Sequence, residues 1–205
     1  MLFKKNLRKE GECVKLISVF ESIPFIRKVH LPLLETISCT KKEEIAKCIK
    51  KISYPSLLKV QSKEIEGKKE KNLFVVVQNN EELVAQISII KETIKKKFSK
   101  IKKFSILAQR LGLGEQAKFV VKKHVSFGFV LEIYYKDVIM HTILPFSDEI
   151  YSEIISFLDA EKSSEKVILF LKACQELASE KVVISFSLSV FVSSMEIFQG
   201  EVMSI

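Results

Sequence analysis

Residues 63–110 read KEIEGKKEKNLFVVVQNNEELVAQISIIKETIKKKFSKIKKFSILAQR, and the changes of period inside this stretch decide the fold class. Leu73–Val77 is apolar, β-branched and aromatic, which predicts a buried central strand. Upstream, Leu57–Glu66 predicts a strand, joined to Lys71–Gln78 by a hairpin turn at Gly67 with Lys68, Lys69 and Glu70. The period then lengthens. Asn79 or Asn80 caps a helix with Glu81 and Glu82 in its first turn, where the helix dipole favours anions. Leu83, Ile87, Ile90 and Ile94 form its apolar stripe, and Lys95-Lys96-Lys97-Phe98 closes it. Lys103–Gln109 predicts a third strand, followed by a loop over Leu111–Gly114.

Working outward, Cys13–Ile23 predicts a short helix, and Thr40 with Glu43 reads as a capping box opening a helix that ends near Tyr54-Pro55. Val125–Leu144 is apolar enough for a helix with Val138, Ile139 and Ile143 on one side, closed by Pro145. Ser147–Leu158 has helical spacing, with a strand as the alternative, and Glu165–Ala178 predicts a helix. From Val182 to Phe198, Ile184, Phe186, Leu188, Val190 and Val192 alternate with serines, a strand pattern and a poor one for a membrane-spanning helix. The last dozen residues read as an irregular tail. The expected class is α+β: a mixed or antiparallel central sheet with helices packed on it, in a single domain. Residues 1–32 form an N-terminal extension, 33–188 the folded domain and 189–205 the tail.

The 205 residues carry a net charge of +8, which favours an anionic partner. The positive charge is almost all lysine: arginine stands only at Arg8, Arg27 and Arg110, and there is no Trp. Cys13, Cys39, Cys48 and Cys174 make no CxxC pair, and the opening MLFKKNLRKEGE turns charged within four residues. A reducing, cytoplasmic setting without membrane attachment is expected.

Catalytic signatures are not evident. Gly112-Leu113-Gly114 lacks the third glycine and following helix of a dinucleotide loop, and Ser163-Ser164-Glu165-Lys166 reads as a helix cap. His30, His124 and His141 stand far apart without carboxylate or thiol partners at ligand spacing, so no metal is expected. His141 falls on the expected helix opposite its apolar stripe. No nucleophile–base pair stands out, and neither an enzyme nor a cofactor is expected.

The basic residues gather in three places. Lys95, Lys96, Lys97, Lys100, Lys102 and Lys103, beside Lys91, span a helix end and the loop after it. Lys68, Lys69 and Lys71 lie in the hairpin turn, and Arg110 with Lys118, Lys122 and Lys123 lies in and after the loop following the third strand. Brought to one side of a sheet they would make a surface for a nucleic-acid backbone.

The Lys63–Glu66 run, the glycine-containing turn, strand Leu73–Val77, the helix ending Lys97-Phe98-Ser99 and the strand ending Ala108-Gln109-Arg110 resemble, in order and spacing, the eukaryotic small ribosomal subunit protein seven family. Leu144–Ile150 and Glu165–Phe186 are similar to that family's later elements, and the resemblance runs from about Leu33 to Leu188. It departs from the pattern in having only Leu111–Lys123 where the family carries a long basic loop, and only Ser147–Ser164 where it carries a hairpin. The resemblance implies a structural component of the small subunit, bound to its rRNA and to neighbouring ribosomal proteins and acting in subunit assembly. It also implies no small-molecule substrate, and a cytoplasmic location with nucleolar transit. The alternative reading is a protein–protein adaptor whose lysines are compositional.

Overall fold

The computed structural model describes residues 15–17, 26–62, 73–99, 101, 103–112, 114–181 and 183–204. The class is α+β, with helices packed on antiparallel sheet. There are two sheets, however, where one central sheet was expected. They belong to two compact units: a small unit, Leu33–Leu113, and a large unit formed from Met1–Pro32 with Gly114–Ile205.

The small unit has strands β2 (Thr36–Ser38), β3 (Ser56–Gln61), β4 (Phe74–Val77) and β5 (Ser105–Arg110), in the order β2-β5-β3-β4. Helix α1 (Lys42–Lys51) and helix α2 (Asn80–Lys97) cover one face of this sheet. Leu58, Val60, Val77, Ile106 and Ala108 meet Cys48, Leu83, Ile87, Ile90 and Ile94 in a continuous core. The expected stripe of α2 is thus the buried one, and its cap forms as expected: the Asn79 side-chain oxygen accepts from the Glu82 N–H at 2.9 Å. For α1 the cap is shifted by one residue. Glu44, not Glu43, accepts from the N–H groups of Thr40 and Lys41, each at 3.0 Å, and from the Ser38 hydroxyl at 2.7 Å. Thr40 instead accepts from the Ile106 N–H of β5 at 2.8 Å. β4 is an edge strand rather than the central one, since among the described residues only β3 pairs with it and Phe74 and Val76 stay exposed. The expected turn at Gly67–Glu70 lies outside the described residues.

The large unit has β1 (Lys15–Ile17), β6 (Gln116–His124), β7 (Gly128–Tyr135), β8 (Val138–Ile143), β9 (Val183–Phe191) and β10 (Glu196–Ser204), in the order β1-β10-β9-β6-β7-β8. Three expectations are corrected here. Lys15–Ile17 is strand, not helix, and the remainder of Cys13–Ile23 lies outside the described residues. The helix expected over Val125–Leu144 is the β7–β8 hairpin: Lys136 and Asp137, both at positive φ (46° and 62°), make the tight turn that twisted strands need. The closing residues form β10, which pairs along β9 and buries Ile197 and Val202, so they are no irregular tail. Helix α3 (Asp148–Phe157) settles the open reading of Ser147–Leu158 as helix, and α4 (Ser164–Ser179) matches the expected one. Val167, Phe170, Leu171, Cys174 and Leu177 of α4 are buried, and Phe170 meets Phe119 of β6 with ring centroids 5.0 Å apart. Among the described residues no helix is long and apolar enough to cross a membrane.

Candidate functional site

Strand alternation sends Leu58 and Val60 of β3 toward the helices, and therefore Leu57, Lys59 and Gln61 to the opposite face of the small unit's sheet. In the cross-strand register Lys59 lies between Phe74 of β4 and Leu107 of β5, and Leu57 lies between Val76 and Gln109. A lysine is thus set among apolar neighbours. Burial pushes its ammonium down from the usual range to about 8, because desolvation disfavours the charged form.

The head group is held by a chain across three strands. Lys59 Nζ donates to Gln109 Oε1 at 2.9 Å, Gln109 Nε2 donates to Thr36 Oγ1 at 2.9 Å, and the Thr36 hydroxyl donates to the Leu34 carbonyl at 2.9 Å. Gln109 is itself buried, so its amide is fixed, and it anchors the half-buried Lys59 side chain. On the same face Gln61 Oε1 is buried without a hydrogen-bond partner among the described residues, and Phe74 and Val76 present exposed apolar surface. A cation in a low-dielectric setting attracts an anion more strongly than a surface lysine does. The apolar neighbours can lie against a planar group.

The large unit also keeps one face of its sheet away from its helices. Phe119 and Val121 of β6 are buried in the core, so Lys118, Val120 and Lys122 lie on the other face, in register with Ser189, Ser187 and Ser185 of β9. Glu132 of β7 stands between Val120 of β6 and His141 of β8. Lys122 Nζ donates to both oxygens of Glu132, at 3.0 and 2.8 Å, and the Tyr134 hydroxyl donates to Glu132 Oε2 at 2.8 Å. Partial burial acts to raise the Glu132 carboxyl, but the hydrogen bonds from Lys122 and Tyr134 and the lysine's charge outweigh it and hold the group below its ordinary range. Among the described residues no three His, Cys, Asp or Glu side chains group as a metal site would need.

The basic residues of the expected RNA surface are placed as follows. Lys68, Lys69, Lys71, Lys100 and Lys102 lie outside the described residues. Lys95, Lys96 and Lys97 make the last turn of α2, where they complement the helix dipole, and Lys96 pairs with Glu92 at 3.4 Å. Lys103 precedes β5 and Arg110 ends it. Lys118, Lys122 and Lys123 belong to the large unit, in strand β6 rather than a loop, and alternation places Lys123 on the face opposite Lys118 and Lys122. His141 lies on strand β8, not on a helix. Sequence reasoning passed over Lys59, Gln109 and Glu132. The available signal was a single lysine inside the apolar strand Leu57–Val60, with no motif around it.

The model of the ATP-grasp domain matches residues 8–133, more than half of the 205-residue chain. No curated protein matches the chain in sequence. Among solved structures, PH1788 from Pyrococcus horikoshii Ot3 is similar at a TM-score of 0.74 and 18% identity, covering 93% of this chain and 92% of that one. The dinucleotide forming acetyl-coenzyme A synthetase 1 of Candidatus Korarchaeum cryptofilum is similar in two complexes. The one with coenzyme A, Ca-AMPCP and HgCl+ gives a TM-score of 0.74 and 16% identity, covering 95% of each chain. The one with coenzyme A and Mg-AMPPCP gives a TM-score of 0.71 and 15% identity, covering 93% of each chain. The ADP complex of N5-carboxyaminoimidazole ribonucleotide synthetase is similar at a TM-score of 0.51 and 17% identity, covering 91% of this chain and 44% of that one. At these identities the likeness is one of fold.

These findings overturn the ribosomal reading. An order of strand, turn, strand, helix, strand is shared by unrelated antiparallel sheets covered by helices, so the resemblance traced a fold element and not a partner. The expectations of a structural role on rRNA and ribosomal proteins, of no small-molecule substrate and of no enzymatic character are corrected with it, and the adaptor alternative finds no support either. By the match over residues 8–133, the chain belongs to the ATP-grasp domain family.

Proposed function

We propose that this chain binds ATP through Lys59 and is the nucleotide-holding part of an ATP-dependent ligase of the acyl-coenzyme A synthetase kind. The observation that carries the proposal is the half-buried Lys59 ammonium, held by Gln109, which Thr36 holds in turn, on the sheet face opposite the helices of an ATP-grasp family member. A phosphate oxygen satisfies a desolvated ammonium better than a neutral amide can, because the bond is then charged on both sides. Leu57, Phe74 and Val76 offer the adjoining apolar surface that a base requires. The ligase class is supported by the likeness to a synthetase solved with coenzyme A and a nucleotide analogue.

Calorimetric titration of the full chain with ATP tests this. Wild-type protein should bind, and Lys59→Met should weaken binding about 30-fold or more, as removal of one partner of a desolvated charge pair does. An unchanged affinity in a variant with native circular dichroism would refute the assignment.

A further inference from the structure

We propose that Cys39 and Cys48 of the small unit form a modification site, a dithiol that hydrogen peroxide converts to a reversible disulfide. The inference stands on the small unit alone and does not depend on the nucleotide reading. Both thiols are fully buried in one core cluster, and their side chains hydrogen-bond each other. Cys39 directly follows β2, and its Sγ donates to the Ile106 carbonyl of β5 at 3.5 Å, beside the Cys39 N–H, which donates to the same oxygen at 2.8 Å. Cys48 is the buried residue of α1. A strand end and a helix face thus bring together two sulfurs that no CxxC spacing pairs in the sequence.

Cys174 offers the contrast. It is as deeply buried in α4, and burial is what raises its thiol. A thiol in that setting is inert. In the pair, the Cys39 S–H is at hand to donate when Cys48 ionises. That hydrogen bond lowers the Cys48 thiol in spite of burial, and the same bond, together with burial, raises Cys39. Cys48 is therefore the attacking sulfur. Its thiolate attacks one peroxide oxygen, the O–O bond breaks, and the hydroxide expelled takes up the proton that Cys48 gave up. The sulfenic acid so formed on Cys48 is then attacked by the Cys39 sulfur; the S–S bond forms and water leaves with the Cys39 proton. The two thiols are oxidised by two electrons and the peroxide is reduced to two waters. Peroxide enters by local opening at β2, a three-residue strand whose one partner among the described residues is β5.

The test treats the reduced full chain with hydrogen peroxide, alkylates the remaining thiols in denaturant and maps the peptides by non-reducing mass spectrometry. A Cys39–Cys48 linkage is expected, lighter than the two thiols by about 2 Da and reversed by dithiothreitol, with Cys174 still alkylated. Cys39 and Cys48 both alkylated after exposure, or Cys48 linked to another thiol, would overturn the proposal. The order of attack is read from single variants quenched with dimedone in denaturant. Cys39→Ala should carry the sulfenic adduct on Cys48, and Cys48→Ala should carry none on Cys39. The reverse pattern would overturn the assignment of Cys48 as the attacking sulfur.

Discussion

Lys59 sits on the sheet face opposite Leu58 and Val60, between Phe74 and Leu107 in the cross-strand register. Keeping a charge there costs stability, and the sign of the cost is measurable. Its ammonium titrates at about 8 in the folded chain, against the ordinary value of 10.5 once unfolded. Between these values the unfolded chain binds more protons than the folded one, so stability rises with pH across that interval and is level above it. Relative to Lys59→Met, wild-type stability should gain about 2 kcal/mol between pH 8 and pH 10, read from urea denaturation. A difference independent of pH would show that Lys59 is not desolvated. The residue was hard to find in the sequence because the chain of bonds spans remote segments: Gln109 lies 50 residues after Lys59, and Thr36 lies 73 residues before Gln109. No local spacing encodes such a chain of hydrogen bonds. The lysine clusters that are local, at the end of α2, are accounted for by a dipole and an exposed pair.

At the scale of elements, legibility followed the strength of the local signal. Helix α2 was readable because an apolar stripe, an asparagine cap and acidic first-turn residues agree. The β7–β8 hairpin was not, because Val138, Ile139 and Ile143 satisfy a helical stripe as well as a strand, and its turn carries Lys136-Asp137 where glycine or asparagine would mark positive φ. That turn is compensated by charge: Lys136 pairs with Asp159 at 2.8 Å and Glu115 at 3.2 Å. Helix α1 shows how a near miss arises, since Glu43 and Glu44 are both acidic and only the geometry tells which one caps. Hydrogen bonds from the Lys41 N–H and the Ser38 hydroxyl hold the Glu44 carboxyl below its ordinary value. Glu44→Gln should cost about 1 kcal/mol at neutral pH, whereas Glu43→Gln should be nearly neutral. As pH falls through the lowered Glu44 value, the protonated carboxyl loses those bonds and the gap between wild type and Glu44→Gln should close.

For the whole molecule, the two units have different chain histories. The small unit is one continuous segment, while the large unit joins residues from both ends of the chain, with β1 paired to β10 and β10 to β9. Residues after Phe191 therefore belong to a core: Val192, Met195, Ile197 and Val202 are all buried. Removing residues 192–205 should unfold the large unit, seen as loss of cooperative thermal unfolding, whereas a dispensable tail would leave the melting temperature unchanged. The α+β class was legible from the periodicity along the chain. The partner was not, because an order of strands and helices specifies a fold and not its ligand. The central claim is that one half-buried lysine, Lys59, and not the exposed basic clusters, receives the nucleotide's phosphates. Its most direct test is labelling with a lysine-reactive ATP analogue followed by peptide mass spectrometry. The account predicts an adduct on Lys59 that excess ATP suppresses; adducts confined to Lys95–Lys103, or spread over the lysines without protection by ATP, would contradict it.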